Sequence, residues 1–162
     1  MASEMKIEYI NPFLVAATSV LSNVCGVKLS AGKPYVKTTS FDESSVVISL
    51  GVTGQVSGQV LIAVHQNVAC DIASKMCMME MTELNDISMS ALSELGNMIL
   101  GNAATVFSTQ GILIDITPPT LVRGFFRIDN AYAKNICIPL HMDDGQIIEI
   151  DVAVKEKIDG KA

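Results

Sequence analysis

The chain has 162 residues, 49% of them apolar and 17% charged, with a mean hydropathy of +0.41, so it is not a disordered chain and builds a large aliphatic core. Eleven Lys and Arg against seventeen Asp and Glu give a net charge of -6, which removes the basic footprint of a nucleic-acid binder and favours a cationic protein surface as partner. No apolar run reaches about 18 residues, so no membrane span is expected, and the length fits one domain over 1–162, built at most from two related halves.

Asn11 followed by Pro12 predicts a helix start, with Asn11 capping the free amides and apolar residues running from Phe13 through Leu14, Ala17, Leu21 and Val24 to Gly26. Glu4 and Glu8 ahead of this run, Pro12 at its opening and Val24 before Cys25 argue for a mature helix over a signal peptide. Beyond Gly32 and Pro34, three segments around Val36 to Ser40, Val46 to Val52 and Gln59 to Val64 read as an antiparallel meander. Asn67 to Met79 returns to a helical pattern, its Met-rich end suited to an adaptable core edge. Cys25, Cys70, Cys77 and Cys137 form no C-x-x-C pair, and free thiols in a reducing cytoplasm are expected. His65 and His141 alone support neither a zinc site nor a histidine triad, and read as core or loop residues.

A long helix is expected from Asp86 or Ser88 to Thr109, closed by Gly111. At about 100° per residue, Leu92, Leu95, Ile99, Ala103 and Val106 share one face, and Ser90, Glu94, Asn97, Gly101, Thr105 and Ser108 the opposite one. That second face is polar and almost uncharged. A solvated helix surface is one explanation; glycines at 96 and 101, each costing about 1 kcal/mol relative to Ala in mid-helix, argue for close approach of another backbone, above all at Gly101. A short strand at Ile112 to Ile116, the stretch Thr117-Pro118-Pro119-Thr120, and strands at Ala133 to Met142 and Gln146 to Lys155 follow, the last two forming a hairpin around Asp143-Asp144-Gly145. No P-loop or dinucleotide glycine pattern is present, so ATP and NAD are not expected as cofactors.

The stretch SALSELGNMILGNAATVF followed by GILIDITPPTLVRG resembles the CheC/CheX/FliY family of chemotaxis phosphatases, and within it the single-site CheX type, from the INPF opening to the final hairpin. Ser90, Glu94 and Asn97 match the family's Asp/Ser-x3-Glu-x2-Asn, and 21 residues separate Asn97 from Pro119, one fewer than the family pattern. The order read along the chain is helix, three strands, helix, long helix, three strands, with pseudo-duplicated halves, and the resemblance implies an α/β (α+β) fold with helices packed on a mainly antiparallel sheet. It implies hydrolysis of the phospho-aspartate of a CheY-like response regulator: Asn97 orienting the attacking water, Glu94 pairing with the receiver's active-site Lys, and Ser90, Gly101 and Pro119 at the partner surface. No cofactor belongs to this chain, since the receiver brings its own Mg2+, and a neutral amide can hold an in-line water without repelling phosphoryl oxygens. A receiver-binding or flagellar-switch module without catalysis is the competing reading.

Glu8-x2-Asn11 repeats the motif, with 22 residues between Asn11 and Pro34, as a duplicated half would. Pro12 nevertheless predicts that Asn11 is a structural N-cap and that the chain has one site. The resemblance further implies a homodimer through edge strands. The alternating strand Ile148 to Val154 supports it if outermost, and burial inside the monomer competes with that explanation.

Overall fold

The computed structural model describes residues 7–26, 28–36, 39–128 and 134–156. In chain order these form α1 (Ile7–Cys25), β1 (Leu29–Ala31), β2 (Tyr35–Val36), β3 (Thr39–Phe41), β4 (Ser45–Gly54), β5 (Val56–His65), α2 (Gln66–Cys77) and α3 (Asp86–Thr109). There follow β6 (Ile114–Ile116), β7 (Thr120–Arg123), β8 (Phe126–Ile128), β9 (Ile136–Met142) and β10 (Ile147–Glu156). The expected α+β class and antiparallel sheet are present, but each half contributes five strands where three were expected. β1, β2, β3, β7 and β8 have only two to four residues each, too few for period-two alternation to stand out from loop sequence. Residues 37, 38 and 133 of the expected strands lie outside the described residues.

The main sheet runs β1-β9-β10-β5-β4-β6, with β2 also on β9 and β7 also on β4, and β3 pairs with β8 as a separate ribbon. Every pairing is antiparallel. Exchanging the halves, β1 to β5 against β6 to β10, reproduces this order in reverse, so the duplication read from the sequence is a pseudo-two-fold passing between β5 and β10. The three-strand meander is corrected accordingly: β4 and β5 are a hairpin, while β2 and β3 cross to β9 and β8 in the other half. β10 is central, paired with β5 and β9. It therefore has no open edge, and the argument for a homodimer drawn from it fails; the edges belong to β1 and β2 on one side and to β6 and β7 on the other.

Strand alternation turns Val46, Ile48, Leu50 and Val52 of β4 and Ile148, Ile150, Val152 and Val154 of β10 toward the helices, where they share one buried cluster with Phe13, Leu21, Leu92, Leu95, Ile99 and Phe107. Each such side chain contributes about 1.5–3 kcal/mol of burial. Phe13 meets Phe107 edge-on, centroids 5.3 Å apart, which fastens α1 to α3. On the other face Val47, Leu61 and Ala63 are capped by Phe41 and Phe126, stacked at 4.9 Å.

The first helix begins at least four residues before the expected point. Asn11 is therefore not an N-cap, and Pro12 lies inside the helix. A proline in that place removes the bond to the carbonyl four residues back, here Glu8, a disruption of about 3 kcal/mol in a helix interior. Tyr9 and Ile10, on the turn before it, are buried in the shared cluster, and that burial offsets the loss. Burial, then the Glu156 carboxylate beside it, pushes the Tyr9 hydroxyl up to about 12, and ties this first turn to the end of β10. Among the described residues, no helix is long and apolar enough to cross a membrane.

Candidate functional site

α3 starts at a closed capping box. The Asn85 side chain accepts from the Ser88 amide at 2.9 Å, and the Asn85 amide donates to Ser88 Oγ at 2.8 Å. Leu92, Leu95, Ile99 and Ala103 are buried as expected, whereas Val106 is half-buried and Phe107 fully buried. With that face committed, Ser90, Glu94 and Asn97 stand exposed on the other. They line an open concavity of about 520 Å³ together with Asp86, Met89, Ser93 and Leu121.

The sequence reading missed Asp86, Met89, Ser93 and Leu121. The first three lie along one side of the helical row; Leu121 sits in the short stretch Thr120-Leu121-Val122-Arg123 after two prolines, which has no alternation to mark it. Pro119 and Gly101 do not line the concavity. Pro119 is half-buried immediately before β7, the strand that carries Leu121. Its approach is clamped to β4, where the Gly51 amide donates to Thr117 Oγ1 at 2.8 Å and the Thr117 amide to the Gly51 carbonyl at 3.0 Å. Gly101 is exposed, and a Cβ there would meet nothing within 4 Å, so the expected close approach of a backbone does not occur within the chain. Gly96 is where approach is close: a Cβ would lie 2.8 Å from Ile48 Cγ2, so α3 packs its glycine onto β4.

The lining residues include two carboxylates and no Lys, Arg, His or Cys. Neither Ser90 nor Ser93 is hydrogen-bonded to either carboxylate, so the arrangement can position a water and engage a cation but does not build an activated nucleophile. Elsewhere, His65 is neither core nor loop but the exposed N-cap of α2, its Nδ1 accepting from the Asn67 amide at 3.1 Å. The four cysteines are free, and burial pushes the Cys25, Cys70 and Cys137 thiols up, away from thiolate chemistry. Among the described residues, Cys137, Glu149 and Asp151 hold donor atoms within 4.8 Å of one another. They alternate with the helix-facing residues of β9 and β10 and so occupy the opposite face of the sheet, where Tyr35 donates to Glu149 at 3.3 Å.

Residues 46–141 match the family described as chemotaxis phosphatase CheX. The CheY-P phosphatase CheX of Thermotoga maritima is 26% identical over 152 residues, 93% of this chain and 98% of that protein. Among solved structures, the CheX-CheY-BeF3-Mg2+ complex from Borrelia burgdorferi is 34% identical, with a TM-score of 0.79, covering 93% of this chain and all of that one. A CheC-like superfamily protein from Shewanella sp. PV-4 is 25% identical, with a TM-score of 0.83, covering 93% of this chain and 99% of that one.

Proposed function

The chain belongs to the chemotaxis phosphatase CheX family, and from that premise we propose that it dephosphorylates a CheY-like receiver docked on the exposed face of α3. The observation that carries the reading is the placing of Glu94 and Asn97 together in one open concavity that has no His, Cys or Lys and no serine hydrogen-bonded to a base. An acyl phosphate on aspartate is already activated, and the receiver contributes its own Mg2+, as the composition of the related Borrelia complex supports. What remains is an in-line water. The Asn97 amide holds it and, being neutral, does not repel the phosphoryl oxygens; the water attacks phosphorus, the bond to the receiver's aspartate breaks, and inorganic phosphate leaves. Glu94 pairs with the receiver's active-site Lys. Met89 and Leu121 add apolar contact on either side of the pair, and Gly101 keeps the helix surface low beyond it.

The test is the decay of a phosphorylated CheY-like receiver with and without the protein. Acceleration is expected, and Asn97→Ala removes on the order of a hundredfold of the turnover that α3 supplies while leaving binding to a BeF3-loaded receiver near wild type. Wild-type turnover in the variant would remove Asn97 from the mechanism. Binding with no acceleration by the wild-type protein would leave a docking module in place of a phosphatase.

A further inference from the structure

A Ser or Thr within a helix can satisfy its hydroxyl on a carbonyl one turn back. Ser74 donates in this way to the Cys70 carbonyl at 2.7 Å, Thr105 to that of Gly101 at 3.2 Å and Thr109 to that of Val106 at 2.6 Å, while Ser88 is held in the capping box. Ser93 is not satisfied in this way. Half-buried in the concavity, its hydroxyl has no hydrogen-bond partner, and neither has the exposed side-chain amide of Asn97 four residues on. Side chains on a helix lean toward its N-terminus, so the Asn97 amide reaches back over the turn that carries Ser93. Two neutral, unsatisfied polar groups thus share one stretch of the concavity. Met89 and Leu121, which line it with them, are apolar and offer a water no competing bond.

We propose that Ser93 is the second holder of the attacking water. The proposal rests on the α3 reading and deepens it. A water bound at one point swings about that bond. Donating one hydrogen to Asn97 Oδ1 and the other to Ser93 Oγ fixes it at two points and leaves a lone pair for the phosphorus of the docked receiver. Neither acceptor is charged, so neither repels the phosphoryl oxygens. As the bond from the water oxygen to phosphorus forms, the bond to the receiver's aspartate breaks, the aspartate leaves as a carboxylate, and both protons depart with the phosphate. Ser93 therefore takes up no proton and needs no base beside it, in keeping with the lack of any hydrogen bond from it to a carboxylate.

A double-mutant cycle tests this: wild type, Ser93→Ala, Asn97→Ala and the double variant, each assayed for kcat and KM on a phosphorylated CheY-like receiver and for affinity to the BeF3-loaded one. Ser93→Ala is expected to lower kcat by about 3- to 10-fold, the worth of one hydrogen bond, with KM and affinity at wild-type values. Both side chains act on one water, so removing Ser93 from Asn97→Ala lowers kcat by less than about twofold. No loss of kcat in Ser93→Ala, or the same factor lost in both backgrounds, overturns the proposal while the α3 reading stands. A raised KM or weakened affinity in Ser93→Ala makes the residue a docking contact and overturns it as well. If Asn97→Ala turns over as fast as wild type, the α3 reading falls and takes the proposal with it. Ala is the better helix former, so Ser93→Ala melts no lower than wild type, and its loss of kcat reports the water and not unfolding.

Discussion

Glu94 and Asn97 sit one turn apart on the same exposed face, yet their charges suit them to different partners within one docked receiver. A carboxylate beside a phosphoryl group is repelled by it and attracted to a neighbouring Lys; an amide has no such bias and can approach the phosphorus. Reversing the charge separates the roles. Glu94→Lys is expected to weaken affinity for a BeF3-loaded receiver as well as turnover, since two cations then face each other, and the loss grows as ionic strength is lowered. A titration by fluorescence anisotropy at two salt concentrations checks both points, and unchanged affinity would take Glu94 out of the interface. Asn11 shows how a residue's role is set by its surroundings. The pair Asn-Pro has the form of a cap, and only the burial of Tyr9 and Ile10 makes it part of a helix interior.

Within α3, the two glycines have opposite reasons to be there. Gly96 lets the helix settle on β4, whereas Gly101 faces open space. Gly96→Ala is expected to destabilise the fold, because an overpacking penalty of about 1–3 kcal/mol exceeds the roughly 1 kcal/mol gained in helix propensity. Gly101→Ala meets no obstacle, so it stabilises by up to about 1 kcal/mol. Under the docking proposed for α3 it also raises KM for the phosphorylated receiver. Denaturant titrations of the two variants give the signs, and turnover assays on Gly101→Ala show whether stability was given up for the partner surface. Unchanged KM with raised stability would remove Gly101 from the docking face. The pattern of Ser90, Glu94 and Asn97 was readable along α3 because a helix brings residues three and four apart into line. Leu121 was not, since it reaches the same concavity from a strand on the far side of a turn.

At the scale of the molecule, the halves meet where β5 and β10 pair, and Gly58 sits on that seam opposite Val154. Its φ of 152° and the Ala153 carbonyl, directly in the path of any Cβ, leave no room for a side chain. Gly58→Ala is expected to cost on the order of 4 kcal/mol or more, read as a fall in the denaturation midpoint, because the obstacle is main chain and cannot turn aside. A near-neutral effect would mean that the two halves can shift apart at little cost. Local chemistry in the sequence was enough to determine the aliphatic core, the long amphipathic α3 with its polar row, the β9-β10 hairpin and the duplicated order of elements, since periodicity and turn residues act over a few positions. Tertiary structure alone decided where α1 begins, which strands lie at the edges, which glycine is a packing contact, and that Leu121 joins Glu94 and Asn97. Each of these depends on groups far apart in the chain competing for the same buried surface or the same backbone hydrogen bonds, and that competition is settled only when the halves fold onto each other.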